Sequence, residues 1–339
     1  MDSKKKILLT GGAGYIGAHT AVELIQSGHE TVLIDDFSKS DATLLKGIEK
    51  IIGRKPDFIE GDCKDAGFLK KIFAQHTFDS VIHFAAYKSV GESVQAPLSY
   101  YDNNLRSMIE LLRMMSKSGV NEFIFSSSCT VYGQPDVIPV DETAPFKKAE
   151  SPYGATKQMG ERLLEDEVIA NKKLKVISLR YFNPIGAHSS ALIGEMPIGV
   201  PGNLVPYITQ TAAGLRQKLT VFGADYNTPD GSCLRDYIHV TDLAKAHVCA
   251  AEKINHMPGR IEAFNLGTGE GISVLGLVRK FIEVTGTKLN YEMGPRRPGD
   301  IEKVYANPAK AKKLLQWQTA LSLETALEDA WRWQQKLGR

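Results

Sequence analysis

The sequence is poor in the signals that assign a chain at a glance. Cysteine is scarce, with four in 339 residues. Cys63, Cys129, Cys233 and Cys249 are so widely spread that no pair has metal-ligand spacing and none suggests a disulfide framework; no metal is expected. Charge of one sign is also missing: Lys+Arg 41 against Asp+Glu 39 leaves a formal +2, which gives no electrostatic argument for a nucleic acid or a membrane surface as partner. No stretch approaches the length of a membrane span. The opening "MDSKKKILLTGG" has a basic start, but its apolar run is too short for a signal segment and reads as a first strand. A cytoplasmic protein that binds neither nucleic acid nor membrane is expected. Repeats and low-complexity tracts are absent too.

What remains is ordinary globular composition, 43% hydrophobic and 24% charged, in a chain long enough for one large domain or two moderate ones. Short apolar, β-branched runs recur: Lys6–Thr10, Thr31–Asp35, Asp57–Asp62, Ser80–Ala86, Glu122–Ser128 and Lys175–Phe182. Helical spacing separates them, as in Ala18–Gln26, Phe68–Gln75 and Leu105–Lys117. Strands apolar on both faces, alternating with helices, predict an α/β fold with a doubly wound parallel sheet of Rossmann type. After Phe182 the pattern changes. From 183 to 230 the chain is rich in Gly, Pro and Asn, with a helix expected around Tyr207–Leu215. A further strand (Glu262–Gly269) and helices at Val274–Thr285 and Leu323–Lys336 are expected beyond it. We read 1–182 as a dinucleotide-binding domain and 183–339 mainly as a smaller C-terminal substrate-binding lobe over the carboxyl ends of the strands. That boundary leaves room for a late strand to rejoin the main sheet.

"TGGAGYIGAHT" places Gly11, Gly14 and Gly17 directly after the first strand and at the start of a helix. Glycines let the backbone turn and approach a pyrophosphate, and the helix start supplies free N–H groups and positive potential. Asp35 ends the second strand, close to the separation of about 20 residues expected of a ribose-binding carboxylate. Its charge would accept from a 2′-hydroxyl and repel a 2′-phosphate, which favours NAD over NADP. The competing reading is a tight turn followed by a loop aspartate.

In "SPYGATKQMGE", Ser151 and Pro152 suit a helix cap and first turn, so Tyr153 and Lys157 would lie one turn apart on one face. After a dinucleotide site, Tyr-x-x-x-Lys resembles the acid–base pair of the short-chain dehydrogenase/reductase superfamily. Taking a proton from a sugar hydroxyl near neutral pH calls for a phenolate, whereas free tyrosine titrates near pH 10. The Lys157 ammonium and a positive nicotinamide ring would both favour the anion. Ser128, closing the fifth strand, would bridge the substrate oxygen and Tyr153. Singly, such residues also serve as caps and packing; together they point to an active site.

With these motifs in place, "VIHFAAYKSVGESV", "YYDNN", "FIFSSSCTVYG", "LRYFNPIGAH", "NLVPYI", "DGSCLRDYIHVTDLA", "FNLGTG" and "RRPGD" give a chain that resembles the UDP-glucose 4-epimerases from Lys6 to about Trp333. The resemblance implies NAD contacts at Tyr15, Ile16, Asp35, Asp36, Ser40, Asp62, Cys63, Phe84, Ala85, Ala86, Lys88, Asn103 and Phe182, joined by Ser128, Tyr153 and Lys157. It implies UDP-sugar contacts at Asn183, Asn203, Leu204, Phe222, Arg235, Arg297 and Asp300, with Lys88, Ser128 and Tyr153 also facing substrate and Val304 in the sugar pocket. Two arginines suit a diphosphate, because guanidinium offers paired donors. Asp300 could accept from uridine ribose hydroxyls. A local ion pair with Asp236 is the other reading of Arg235.

The implied reaction oxidises and re-reduces C4 of UDP-glucose or UDP-galactose, in galactose metabolism. Related 4,6-dehydratases carry an Asp–Glu pair just after the strand-end hydroxyl, where this chain has Cys129 and Thr130. A UDP-glucuronate epimerase and a non-catalytic NAD-sensing module are the alternatives; sensors commonly lose the tyrosine or lysine, and both are here. Family members restricted to non-acetylated sugars tend to carry a tyrosine where this chain has Val304, so UDP-GlcNAc and UDP-GalNAc are expected substrates as well. The family is usually homodimeric. "SMIELLRMM" (Ser107–Met115) could serve that interface, although such a stripe is more often core.

Overall fold

The computed structural model describes residues 4–297 and 300–338; Pro298 and Gly299 of the "RRPGD" stretch lie outside the described residues. The central element is a seven-stranded, fully parallel sheet. Its strands are β1 (Lys6–Thr10), β2 (Glu30–Asp35), β3 (Asp57–Glu60), β4 (Ser80–His83), β5 (Glu122–Ser128), β6 (Lys175–Tyr181) and a late strand, Ile261–Leu266. Across the sheet the order is late strand, β6, β5, β4, β1, β2, β3. The order reverses between β1 and β4, the crevice where open α/β sheets hold ligands.

Alternate residues of each strand face opposite layers, which explains the unbroken apolar runs. Ile7, Leu9, Leu33, Ile82, Ile124 and Ile177 point into one core, and Leu8, Val32, Ile34, Val81, Phe123 and Val176 point into the other. Helices Tyr15–Gln26, Thr43–Ile52 and Val240–Lys253 cover the first face through Ala18, Val22, Ile48, Leu243 and Ala250. Helices Ala66–Gln75, Ser107–Ser118 and Pro152–Ala170 cover the second through Leu69, Ile72, Met108, Leu111, Leu164 and Val168. Full burial of each such aliphatic side chain stabilises by about 1.5–3 kcal/mol. The "SMIELLRMM" stripe is therefore core: Met108, Leu111, Leu112, Met114 and Met115 are all buried.

A third core, built from Ile185, Val205, Ile208, Leu219, Val221, Leu277, Phe281 and Leu327, forms the smaller lobe around helices Leu204–Ala212, Val274–Thr285 and Leu323–Leu337. A fourth cluster, which includes Cys129, Tyr132, Phe182 and Val304, packs the turn after β5 against the strand Lys303–Val304. The expected helix at Tyr207–Leu215 starts earlier, at Leu204, since Pro206 is tolerated in a first turn; it stops at Ala212 ahead of Gly214 with φ 78°. The helix Val240–Lys253 was not expected. Its cap is His239, whose ring accepts from the Thr241 N–H, outside the usual Ser/Thr/Asp/Asn set. Among the described residues no helix is long and apolar enough to cross a membrane, and no group of three His, Cys, Asp or Glu side chains could hold a metal ion.

Candidate active site

The crevice opens into one cavity of about 1160 Å³ between the sheet and the smaller lobe. One end is the turn after β1. Gly11 adopts φ 70°, and a Cβ there would meet Ala85 N at 2.8 Å. A Cβ on Gly17 would meet Gly11 O at 2.3 Å, so helix Tyr15–Gln26 can lie against the turn only without one. Its cap, Gly14, contributes no side-chain hydrogen bond, which leaves the first-turn N–H groups uncapped by any side chain. At the end of β2, Asp35 accepts from Ala13 N at 3.1 Å, Phe37 N at 3.0 Å and Ser40 Oγ at 2.6 Å. A carboxylate offers about four acceptor positions, so one remains for a ribose hydroxyl. Burial raises the Asp35 carboxyl, and these hydrogen bonds oppose the shift. The residues fit a dinucleotide.

Tyr153 and Lys157 line the middle of the cavity. Ser151 caps their helix by accepting from Gly154 N, and Pro152 occupies the first position. The Lys157 ammonium donates to Ser126 O at 2.6 Å and lies 4.9 Å from the Phe125 ring centroid and 5.9 Å from that of Tyr153. The sequence reading has Lys157 and the oxidised nicotinamide ring together pull the phenol down. In the protein without its cofactor, burial pushes Tyr153 up to about 12, with the Ser128 hydroxyl acting against it. Burial likewise draws Lys157 down to about 7, with Glu161 opposing. Lys157 is buried and Tyr153 half-buried against the cavity wall, so without cofactor each charged form is disfavoured, and one lysine aimed at a backbone carbonyl does not overcome that cost.

The far end carries the groups suited to a nucleotide diphosphate. Arg297 donates to Asp300 Oδ1 at 2.7 Å, and Arg235 approaches the same oxygen at 3.9 Å. The alternative pairing of Arg235 with Asp236 is not made. Asp236 is buried and accepts instead from Thr268 N, Thr268 Oγ1, Gly269 N and Ala306 N. Val304 pairs in register with Arg235 and lines the cavity.

All the sequence-selected residues share this one lining except Ser128 and Phe182. The Ser128 hydroxyl accepts from Thr130 N at 3.2 Å and caps the turn after β5. The Phe182 side chain is packed in the fourth cluster. Burial raises the Cys63 thiol well above its ordinary range, so Cys63 joins the wall as a neutral group.

The sequence profile of the NAD dependent epimerase/dehydratase family matches residues 7–267. A UDP-glucose 4-epimerase of Bacillus subtilis is 49% identical over 328 residues, 97% of this chain and 96% of that one. The chain belongs to the UDP-glucose 4-epimerase family. Solved UDP-glucose 4-epimerases agree in shape. One from Bifidobacterium longum, in complex with NAD+ and UDP, superposes with a TM-score of 0.94 at 43% identity, with 98% of both chains covered. One from Stenotrophomonas maltophila, with bound NAD and formylated UDP-arabinopyranose, gives 0.95 at 46% identity, again with 98% of both chains covered.

Set among the UDP-glucose 4-epimerases, the chain also shows residues that its sequence did not announce. Glu195 accepts from Lys88 Nζ at 2.9 Å and from Asn203 Nδ2 at 2.5 Å, joining two residues singled out as ligands. It lies in the irregular Gly/Pro stretch, where no periodicity marks it. Tyr181, at the end of β6, lines the cavity and donates to Ser126 Oγ.

Proposed function

We propose that this epimerase-family chain inverts C4 of UDP-glucose and UDP-galactose with NAD as its cofactor. The observation that carries the reading is continuity: the glycine cradle with Asp35, the Tyr153–Lys157 pair and the Arg235–Arg297–Asp300 group line a single cavity. NAD, when bound, would supply the acceptor and donor of hydride and, in its oxidised form, a second positive charge that favours the Tyr153 phenolate.

Tyr153 takes the proton from the C4 hydroxyl and later returns it. Lys157 holds the phenolate by its charge. Arg235 and Arg297 grip the diphosphate, so the flat 4-keto sugar turns about its link to a fixed UDP and presents its other face. The turn after β5 offers no acid for eliminating water: burial pushes the Cys129 thiol up to about 12, and Thr130 cannot ionise. Inversion rather than dehydration follows. Val304 leaves space beside the sugar, and we extend the reading to UDP-GlcNAc and UDP-GalNAc. Family membership favours a cytoplasmic homodimer serving galactose metabolism.

The test is to incubate the purified protein with UDP-galactose without added NAD and to look for UDP-glucose. Wild type is expected to form it, and Tyr153→Phe to lose about 10²–10⁴-fold in turnover. Equal product from both would remove Tyr153 from the mechanism, and none from wild type would reject the activity.

A further inference from the structure

One turn beyond Lys157, the same helix buries a carboxylate. Glu161, Lys157 and Arg180 are 4%, 4% and 6% exposed. Glu161 is held from two strands. Ser127 Oγ of β5 donates to it at 2.5 Å; Arg180 of β6 donates through Nε at 2.9 and 3.2 Å and through Nη2 at 2.6 Å. The remaining guanidinium nitrogen reaches the Tyr132 hydroxyl at 2.9 Å, which donates to Asn265 of the late strand at 2.7 Å. Three consecutive β5 residues thus meet three successive turns of the helix: Ser126 O holds Lys157, Ser127 holds Glu161, and the Ser128 hydroxyl favours the Tyr153 phenolate.

A buried ion pair adds little stability of its own compared with apolar side chains of similar volume. Its place beside Lys157 gives it another use. We propose that Glu161, fixed by Arg180 and Ser127, is a positioning residue that keeps Lys157 in its ammonium form and aimed along β5 during the reaction. The inference rests on the epimerase reading above.

The groups around Lys157 support this. His83 of β4 is buried and neutral, drawn down to about 3. β5 offers the Phe125 ring and the Ser126 carbonyl, and the turn after it offers the neutral Cys129 thiol. β6 contributes Arg180 and Tyr181, whose phenol burial raises beyond its ordinary range. The helix contributes Tyr153 and Glu161. Among these only Glu161 is a carboxylate, and it is the group that opposes the burial of the Lys157 ammonium. Without its negative charge Lys157 sheds its proton at lower pH, and the phenolate loses its cation.

The experiment compares the pH dependence of kcat for UDP-galactose in wild type, Glu161→Gln, and the double variant Glu161→Gln with Arg180→Met, which removes both charges together so that neither is left unpaired. A nearby opposite charge moves a pKa by about 1–3 units. The alkaline limb is therefore expected about 1–3 pH units lower in Glu161→Gln, where Arg180 keeps its charge. It is expected at the lower end of that range in the double variant, where loss of the Arg180 cation offsets part of the shift. In both, KM for UDP-galactose is expected to change less than about twofold. Circular dichroism and melting establish the fold. A folded variant with an unmoved limb, or with a uniform loss at every pH, overturns the proposal. If the single variant does not fold, the double variant decides, and a double variant that also fails to fold assigns the pair to the scaffold alone. Wild-type turnover is measured first. Its absence overturns the activity reading and this proposal with it, whereas wild-type turnover with unshifted variants overturns the proposal alone.

Discussion

A single methyl group at Gly17 should separate the phosphate cradle from the rest of the fold. In Gly17→Ala the new Cβ would lie 2.3 Å from Gly11 O and 3.0 Å from Gly12 Cα. Comfortable carbon contacts begin at about 3.5 Å, so the backbone must yield by roughly 1 Å. The carbonyl cannot easily retreat. Gly11 is held at φ 70°, and the space where its Cβ would stand is already closed by Ala85 N and Phe84 C. Overpacking of this kind costs about 1–3 kcal/mol, which in a chain of this size lowers Tm by about 2–10 °C. Cofactor content should fall with it, measured as nicotinamide absorbance released from the purified, denatured protein.

Gly14→Ala is the control. At φ −78° and 3.2 Å from Gly11 O alone, its methyl enters the cavity rather than the packed turn. It should shift stability by no more than about 0.5 kcal/mol and still deplete bound NAD. Wild-type Tm and wild-type NAD content in Gly17→Ala would refute the argument.

Two further outcomes follow from the site. Lys157 is drawn down to about 7 by burial, from an ordinary lysine value of about 10.4. Between those values the unfolded chain binds more protons than the folded one, so this contribution to stability is full above the ordinary value and is lost as pH falls toward 7. Lys157→Met should therefore be more stable than wild type near pH 6 without cofactor, with a flatter rise in Tm from pH 7 to 10; parallel curves would contradict it. Val304→Tyr should reduce UDP-GalNAc turnover at least about tenfold while sparing UDP-galactose, measured as a ratio of the two rates. Equal losses on both sugars would mean that Val304 does not gate the pocket.

The parts of the site that were legible in the sequence are those whose chemistry is local. The glycine turn, the cap at Ser151 and the one-turn spacing of Tyr153 and Lys157 each occupy a few adjacent residues, so sterics and helix geometry suffice to read them. The interior strands of the main sheet were legible because burial on both faces leaves a continuous apolar run. What was not legible depends on distant partners. Nothing near Glu161 announces Arg180, which reaches it from the neighbouring strand, and nothing near Glu195 announces Lys88. The burial that acts on Tyr153 and Lys157 was not legible for a related reason: spacing places the lysine one turn away, but only the packed structure shows that, without cofactor, burial disfavours both charges. The His239 cap escaped because a ring nitrogen took the place of a hydroxyl or carboxylate.

The late strand has a consequence for synthesis. β6 is paired with β5 on one side, and its other edge is completed only by Ile261–Leu266. On a ribosome, β6 emerges some eighty residues before that partner does, and in the interval its exposed edge could recruit a strand from another nascent chain. The sheet gains this last, edge strand by a long-range, parallel pairing, the kind that forms slowly. The edge of β6 is therefore one place where nascent copies of this chain are open to misassociation.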